Sequence, residues 1–185
     1  PSTTLFRSLR AIGLKPIAIS LDDYFVPRAQ TPLDAEGKPD FEALTAIDLD
    51  FFNQQLLALI GGGEVTVPRY DFVQGRRAKD GRRLSLAPNG GLILVEGIHG
   101  LNEHLTPAIP REQKFKVYVS ALTQLNLDHH NRIPTTDSRI IRRIVRDKQF
   151  RGHTALQTIR QWPSVRRGED RNIFPFQEEA DVMFN

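Results

Sequence analysis

The sequence predicts an α/β domain built on a mostly parallel sheet flanked by helices, with a small accessory β-hairpin and a helical lid. Two apolar runs, residues 17–20 and 92–95, are each followed almost at once by carboxylates. Amphipathic helical stripes separate the apolar runs, and Gly or Pro marks most of the joints. Apolar strands alternating with helices imply parallel pairing, because each crossover lays a helix on a face of the sheet.

In chain order, residues 3–12 read as a short helix closed by Gly13. Lys15-Pro16 introduces the strand at 17–20, which stops at Asp22-Asp23. Residues 26–40, punctuated by Pro27, Pro32 and Pro39, read as a loop. Leu49, Phe52, Leu56, Leu59 and Ile60 form one helical stripe over 49–60, ended by Gly61-Gly62-Gly63. Residues 65–67 and 83–86 read as the two strands of the accessory hairpin. A buried strand at 92–95 meets Glu96-Gly97, and a second follows at 115–120. Helical patterns then cover 136–148 and 154–162, and 180–184 reads as a last strand.

At 185 residues and 21.0 kDa the chain fits a single domain, 1–185, able to bury a real core. Hydrophobic residues at 39% and charged residues at 25% exclude wholesale disorder. The sequence shows no apolar run of membrane-span length and no signal-peptide layout at Pro1 to Leu9, so no membrane partner is expected. With no cysteine, disulfides and thiolate metal sites are excluded and a cytoplasmic location is the default. Net charge is only +3 but unevenly spread: residues 139–171 are rich in arginine, while residues 22–50 are acidic. That polarity suits a site where cations receive a polyanion and carboxylates hold a metal; it suits RNA binding equally.

Ligands of open α/β sheets bind at the carboxyl ends of the strands. Asp22 and Asp23 after one strand and Glu96 after another stand where a carboxylate can hold Mg²⁺ or take a proton from a hydroxyl. Solvated loop starts or helix caps remain the plain alternative. In the segment 138–147, Arg139, Arg142, Arg143 and Arg146 share one side of a helix at about 100° per residue, with Ile140, Ile141, Ile144 and Val145 opposite. Forked guanidinium donors match phosphate oxygens; a solvated basic face is the alternative. Arg151-Gly152 then has the composition of a mobile lid. His129-His130 read as surface, His99 as either a loop residue or a site residue, and Trp162 as helix packing. No spacing suggests zinc.

Four motifs occur in order: Ser20-Leu21-Asp22-Asp23-Tyr24-Phe25, Pro68-Arg69-Tyr70-Asp71-Phe72, Leu94-Val95-Glu96-Gly97-Ile98, and Arg142-Arg143-Ile144-Val145-Arg146-Asp147 with Arg151-Gly152. Together they resemble the uridine kinase and phosphoribulokinase family of P-loop kinases, over nearly the whole chain. The resemblance implies a P-loop NTPase three-layer fold, ATP and Mg²⁺ as cofactors, and a small-molecule acceptor such as a nucleoside. It implies Asp22 as the general base, Arg151 as the lid arginine, and Glu96 with Asp22 and the Thr3 hydroxyl as metal ligands. Tyr70, His153 and Gln161 would contact the acceptor, Arg143 and Arg146 the acceptor or the transferring phosphates, and Glu42 falls where relatives hold the ribose hydroxyls with an aspartate. Thr3-Thr4-Leu5 looks like the Thr-Thr-Leu that follows the phosphate-loop lysine, which places Thr3 and Thr4 at the nucleotide.

Relatives carry a first strand and a Gly-x-x-x-x-Gly-Lys-Ser/Thr loop ahead of that point, and this sequence opens at Pro1-Ser2 without a Gly-Lys pair. Relatives that phosphorylate uridine carry a histidine shortly after Tyr-Asp-Phe, where this chain reads Val73-Gln74-Gly75-Arg76-Arg77. A sugar-phosphate kinase of the phosphoribulokinase type is thus an alternative, as is a catalytically weak nucleotide- or RNA-binding module. Nucleic acid is otherwise not expected as a partner, and a homo-oligomer is allowed.

Overall fold

A computed structural model describes residues 3–119, 126 and 128–184, the side chain of Thr3 excepted. Helix α1 (Thr3–Ala11) closes on Gly13, whose φ of 88° is the left-handed conformation that reverses the chain into β1 (Lys15–Ser20). A single 3₁₀ turn over Leu21–Tyr24 continues β1, burying Leu21 and Tyr24 while Asp22 and Asp23 stay partly exposed. Helix α2 (Leu49–Ile60) starts where Asp48 accepts the Phe51 amide at 3.1 Å, and it buries Phe52, Leu56 and Leu59. The core gathers Ile19, Leu21, Tyr24, Phe52, Leu59 and Val67 beneath the 3₁₀ turn, so the acidic strand end rests on packed side chains.

β2 (Glu64–Val67) pairs antiparallel with a later strand and brackets a second, tighter hairpin of β3 (Tyr70–Asp71) and β4 (Arg76–Arg77). That inner hairpin is absent from the sequence-based expectation. Two-residue strands carry no periodicity; turn chemistry builds them. The Asp71 carboxylate accepts the amides of Val73 and Gln74, each at 2.9 Å, and Gly75 supplies a φ of 66°. The outer hairpin closes with β5 (Arg82–Ser85), as expected.

β6 (Gly91–Glu96) pairs parallel with β1 along its whole length, Lys15 opposite Gly91 through Ser20 opposite Glu96. β7 (Val117–Val119), shorter than the expected 115–120, pairs parallel with β8 (Val182–Phe184); residue 120 lies outside the described ones. The parallel strands therefore form two pairs instead of one continuous sheet among the described residues. Residues of both β6 and β7 line the same cavity.

Helix α3 (Thr135–Arg146) runs into a π turn at Asp147–Arg151, and after Gly152 (φ 69°) comes α4 (Ala155–Asn172). Two expectations change here. The helix expected to end near Trp162 continues through Pro163 to Asn172, because Thr154 and Gln157 cap its start reciprocally and Val165, Gly168 and Glu169 are buried beyond the proline. Nor does α3 bury the whole of its apolar side: Ile140 and Ile144 are half-buried, while Ile141 is 61% and Val145 53% exposed. It packs against α4, with Arg139 paired to the buried Glu169. Among the described residues no helix is long and apolar enough to cross a membrane.

Candidate active site

The register of β1 against β6 brings their carboxyl ends side by side. The Ser20 hydroxyl donates to Glu96 Oε1 across the pair. Gly97 follows with a φ of 154°, and a methyl group there would lie 2.7 Å from Leu21 Cβ. The missing side chain thus lets the two strand ends close on each other. Asp22, half-exposed at the mouth, lies 3.6 Å from Nη2 of Arg151. Its neighbour Asp23 does a different job: its carboxylate accepts the Tyr70 amide at 3.2 Å and tethers the inner hairpin. Burial pushes the Asp23 carboxyl above its ordinary value.

Three aromatic rings wall the site beside Asp22. Tyr70 meets Phe25 at 5.7 Å and Phe72 at 5.2 Å between centroids, both edge-on. The Tyr70 hydroxyl donates to the Val26 carbonyl at 3.3 Å, and burial raises its pKa. The Arg151 guanidinium stacks over Phe72, 4.7 Å from the ring centroid. Burial, and then the neighbouring Arg146, lower the pKa of Arg151.

Glu42 enters from the long loop and lies 4.0 Å from Nη2 of Arg143. Burial raises its carboxyl pKa, against the pull of Arg143 and Arg151. The room for it comes from Gly168 on α4, where a Cβ would sit 2.6 Å from Glu42 Cβ and 2.7 Å from Cγ. Asn172 Nδ2 also donates to the Glu42 carbonyl at 2.6 Å. Alanine is the better helix former by about 1 kcal/mol, but at position 168 the contact with Glu42 decides the sign. Gly168→Ala is expected to lower the melting temperature, measured by thermal denaturation.

One cavity of about 2200 Å³ receives Thr4, Asp22, Glu42, Tyr70, Glu96, Arg143, Arg146, Arg151, His153 and Gln161. Of the residues that the family resemblance assigns to the site, Thr3 alone has a side chain outside the described ones; Asp23, Arg139 and Arg142, also singled out in the sequence, do not line this cavity. That volume exceeds the roughly 300–1,000 Å³ of a pocket for one ligand. It has room for two substrates and for the space between β6 and β7. Thr4 brings the first turn of α1, which holds no acidic residue, to the cavity wall, as an anion at a helix N-terminus requires. The donor set fits Mg²⁺: hard oxygens of Asp22, Glu96 and Ser20 stand at adjoining strand ends. No cluster of three or more metal-ligating side chains occurs among the described residues. Mg²⁺ at phosphates takes only one or two carboxylates and completes its shell with phosphate and water.

His153, on the turn between π turn and α4, keeps its Nδ1 buried without a hydrogen-bond partner. Four further residues matter that the sequence reading passed over or left open. Phe25 and Phe72 complete the aromatic wall, and their signal was present in the motifs flanking Asp22 and Tyr70. Asp147 is fully buried between Arg143 and Arg151. His99, 1% exposed, is buried behind the long loop and does not line the cavity, and its Nδ1 has no hydrogen-bond partner among the described residues. Burial pulls its pKa down to about 4, so the fold favours the neutral ring. A lowered histidine pKa stabilises fully above the unfolded value of about 6.5 and loses that stability as pH falls toward the folded value. Chemical denaturation between pH 7 and pH 4 is expected to show a loss on the order of 3 kcal/mol, and His99→Gln should flatten that slope.

The family described as Phosphoribulokinase / Uridine kinase matches residues 25–185. A uridine kinase of Chloroflexus aurantiacus is 30% identical over 178 residues, which cover 95% of this chain and 76% of the relative. A uridine kinase of Deinococcus deserti is 26% identical over 184 residues, covering 98% of this chain and 80% of that one. A solved structure described as a possible uridine kinase from Bacillus stearothermophilus superposes with a TM-score of 0.59 at 18% identity, over 100% of this chain and 79% of that one. Carboxylates at adjoining strand ends, an arginine-bearing helix pair and a P-loop kinase fold agree with that match: the chain belongs to the phosphoribulokinase / uridine kinase family.

Proposed function

We propose that the protein transfers the γ-phosphoryl group of ATP to a hydroxyl of a nucleoside or related small metabolite. The observation that carries this reading is the cluster in which Arg151 meets Asp22 and Phe72 and shares Asp147 with Arg143, beside the strand end that carries Glu96. Phosphoryl transfer is mainly positioning and charge stabilisation, and these are the groups it uses. The acceptor hydroxyl would give its proton to the Asp22 carboxylate as its oxygen bonds to the γ-phosphorus and the bond to ADP breaks. Arg151 would turn from Asp22 to the transferring phosphoryl, where its charge is needed as the phosphorus passes between oxygens. Tyr70, with Phe25 and Phe72, would hold a flat ring of the acceptor, and Glu42 its hydroxyls. Arg143, Arg146, His153 and Gln161 would complete the acceptor contacts, and Thr3 and Thr4 those to the nucleotide. Mg²⁺, held by Asp22, Glu96 and the Thr3 hydroxyl, would neutralise charge on the phosphates.

A second reading has its own support: Lys38, Arg160 and Arg167 line the same cavity in addition to the arginines named, a surplus of cations that would suit an acceptor already bearing a phosphate. The deciding experiment is ADP release from Mg·ATP across a panel of acceptors. Uridine, cytidine or a free sugar sufficing alone supports the first reading; activity only with a sugar phosphate supports the second. ADP release with none of them sinks both.

A further inference from the structure

Asp147 is fully buried although it is a carboxylate, and it sits on the π turn joining α3 to α4. Such a group persists in the interior only when donors surround it, and the donors here are informative. Its Oδ2 lies 3.4 Å from Nε of Arg143 and accepts the Thr158 hydroxyl at 3.2 Å. Its Oδ1 lies 3.6 Å from Nη1 of Arg151. The main-chain carbonyl of the same residue accepts the His153 amide at 3.1 Å, closing the turn. On their far sides the two arginines face different carboxylates: Arg143 approaches Glu42 to 4.0 Å and Arg151 approaches Asp22 to 3.6 Å.

Charges thus alternate from Glu42 through Arg143, Asp147 and Arg151 to Asp22. The outer four line the cavity, while Asp147 stays behind them with no solvent access. Distances of 3.4–3.6 Å exceed a normal N–H···O hydrogen bond, so the arginines are braced by charge and remain able to pivot toward an arriving anion. π turns inside helices recur at functional positions, and this one brings a single side chain between guanidinium groups borne on separate turns.

We infer that Asp147 is a positioning residue: without touching substrate, it fixes Arg143 and Arg151 relative to each other, so that acceptor-side and phosphoryl-side cations are set by one carboxylate. The inference rests on the reading of those arginines as phosphate-facing groups. A simple counter-charge would behave in the opposite way. Removing it would raise the positive potential of the cavity and tighten anion binding.

Asp147→Asn keeps the shape and the Thr158 contact while deleting the charge. Binding of inorganic pyrophosphate, measured by calorimetry, is expected to weaken about tenfold, equivalent to about 1.4 kcal/mol. Unchanged or tighter binding overturns the inference. Turnover with the parent's acceptor is expected to fall roughly 100-fold, the cost of a cation misplaced by about an ångström. In an Arg151→Gln background the same change should cost less, because only Arg143 is then left for Asp147 to position. An equal loss in both backgrounds overturns the inference.

If Asp147→Asn does not fold, Thr158→Val keeps every charge and frees only Oδ2. It should weaken pyrophosphate binding in the same direction, and no change there counts against the inference. A parent protein that binds pyrophosphate yet releases no ADP contradicts the kinase reading alone. A parent that fails to bind pyrophosphate overturns the positioning role.

Discussion

Asp22→Asn is expected to lower turnover by roughly 10²–10⁴-fold, the usual contribution of a positioned general base, while ATP affinity is retained. The substitution preserves the size of the side chain and removes its charge. Asp22 is half-exposed and its ion pair at 3.6 Å to Arg151 faces the cavity, so the fold should lose little. The core beneath it, Leu21 and Tyr24, is untouched. ATP affinity should persist because the helix N-terminus at Thr4 and the cations of α3 and the π turn remain. ADP release at saturating substrates and nucleotide binding by calorimetry check the two halves. Turnover equal to the parent's removes Asp22 from the role of base.

Arg151→Gln is expected to reduce turnover by roughly 10³-fold or more, as for other arginines that neutralise a transferring phosphoryl group. Lysine should not restore it, since the planar fork that stacks on Phe72 and reaches two carboxylates at once has no ammonium equivalent. The loss should fall on kcat more than on KM for ATP, because the arginine acts most strongly as charge moves between oxygens. Loss of KM alone would make Arg151 a ground-state contact and return the catalytic charge to Arg143 or Arg146.

Much of the architecture was legible because local signals and tertiary packing agree. Helix α2 falls on the expected residues, with Asp48 as cap and three glycines as stop. The strand ends at Asp22 and Glu96 were legible for a related reason: a carboxylate cannot follow a buried strand inward. Where packing overrides local preference, the sequence misleads. Pro163 reads as a terminus, yet burial of Val165 and Glu169 keeps α4 helical beyond it. The isoleucine side of α3 reads as a core face, yet Ile141 and Val145 stay exposed while arginines of this helix pair with the buried Glu169 and Asp147. His99 was undecidable in sequence because its burial comes from tertiary packing, which a residue directly after a strand-end glycine does not announce.

The two halves of the site differ in mechanical character. Ser20 and Glu96 are rungs of one six-residue parallel ladder, and Asp22 stands two residues past its last rung on a fully packed turn. The guanidinium groups come instead from a hairpin of helices with a half-turned corner and outward-facing isoleucine and valine. Any tightening around a ligand should therefore be one-sided, the basic arm travelling toward a stationary acidic anvil.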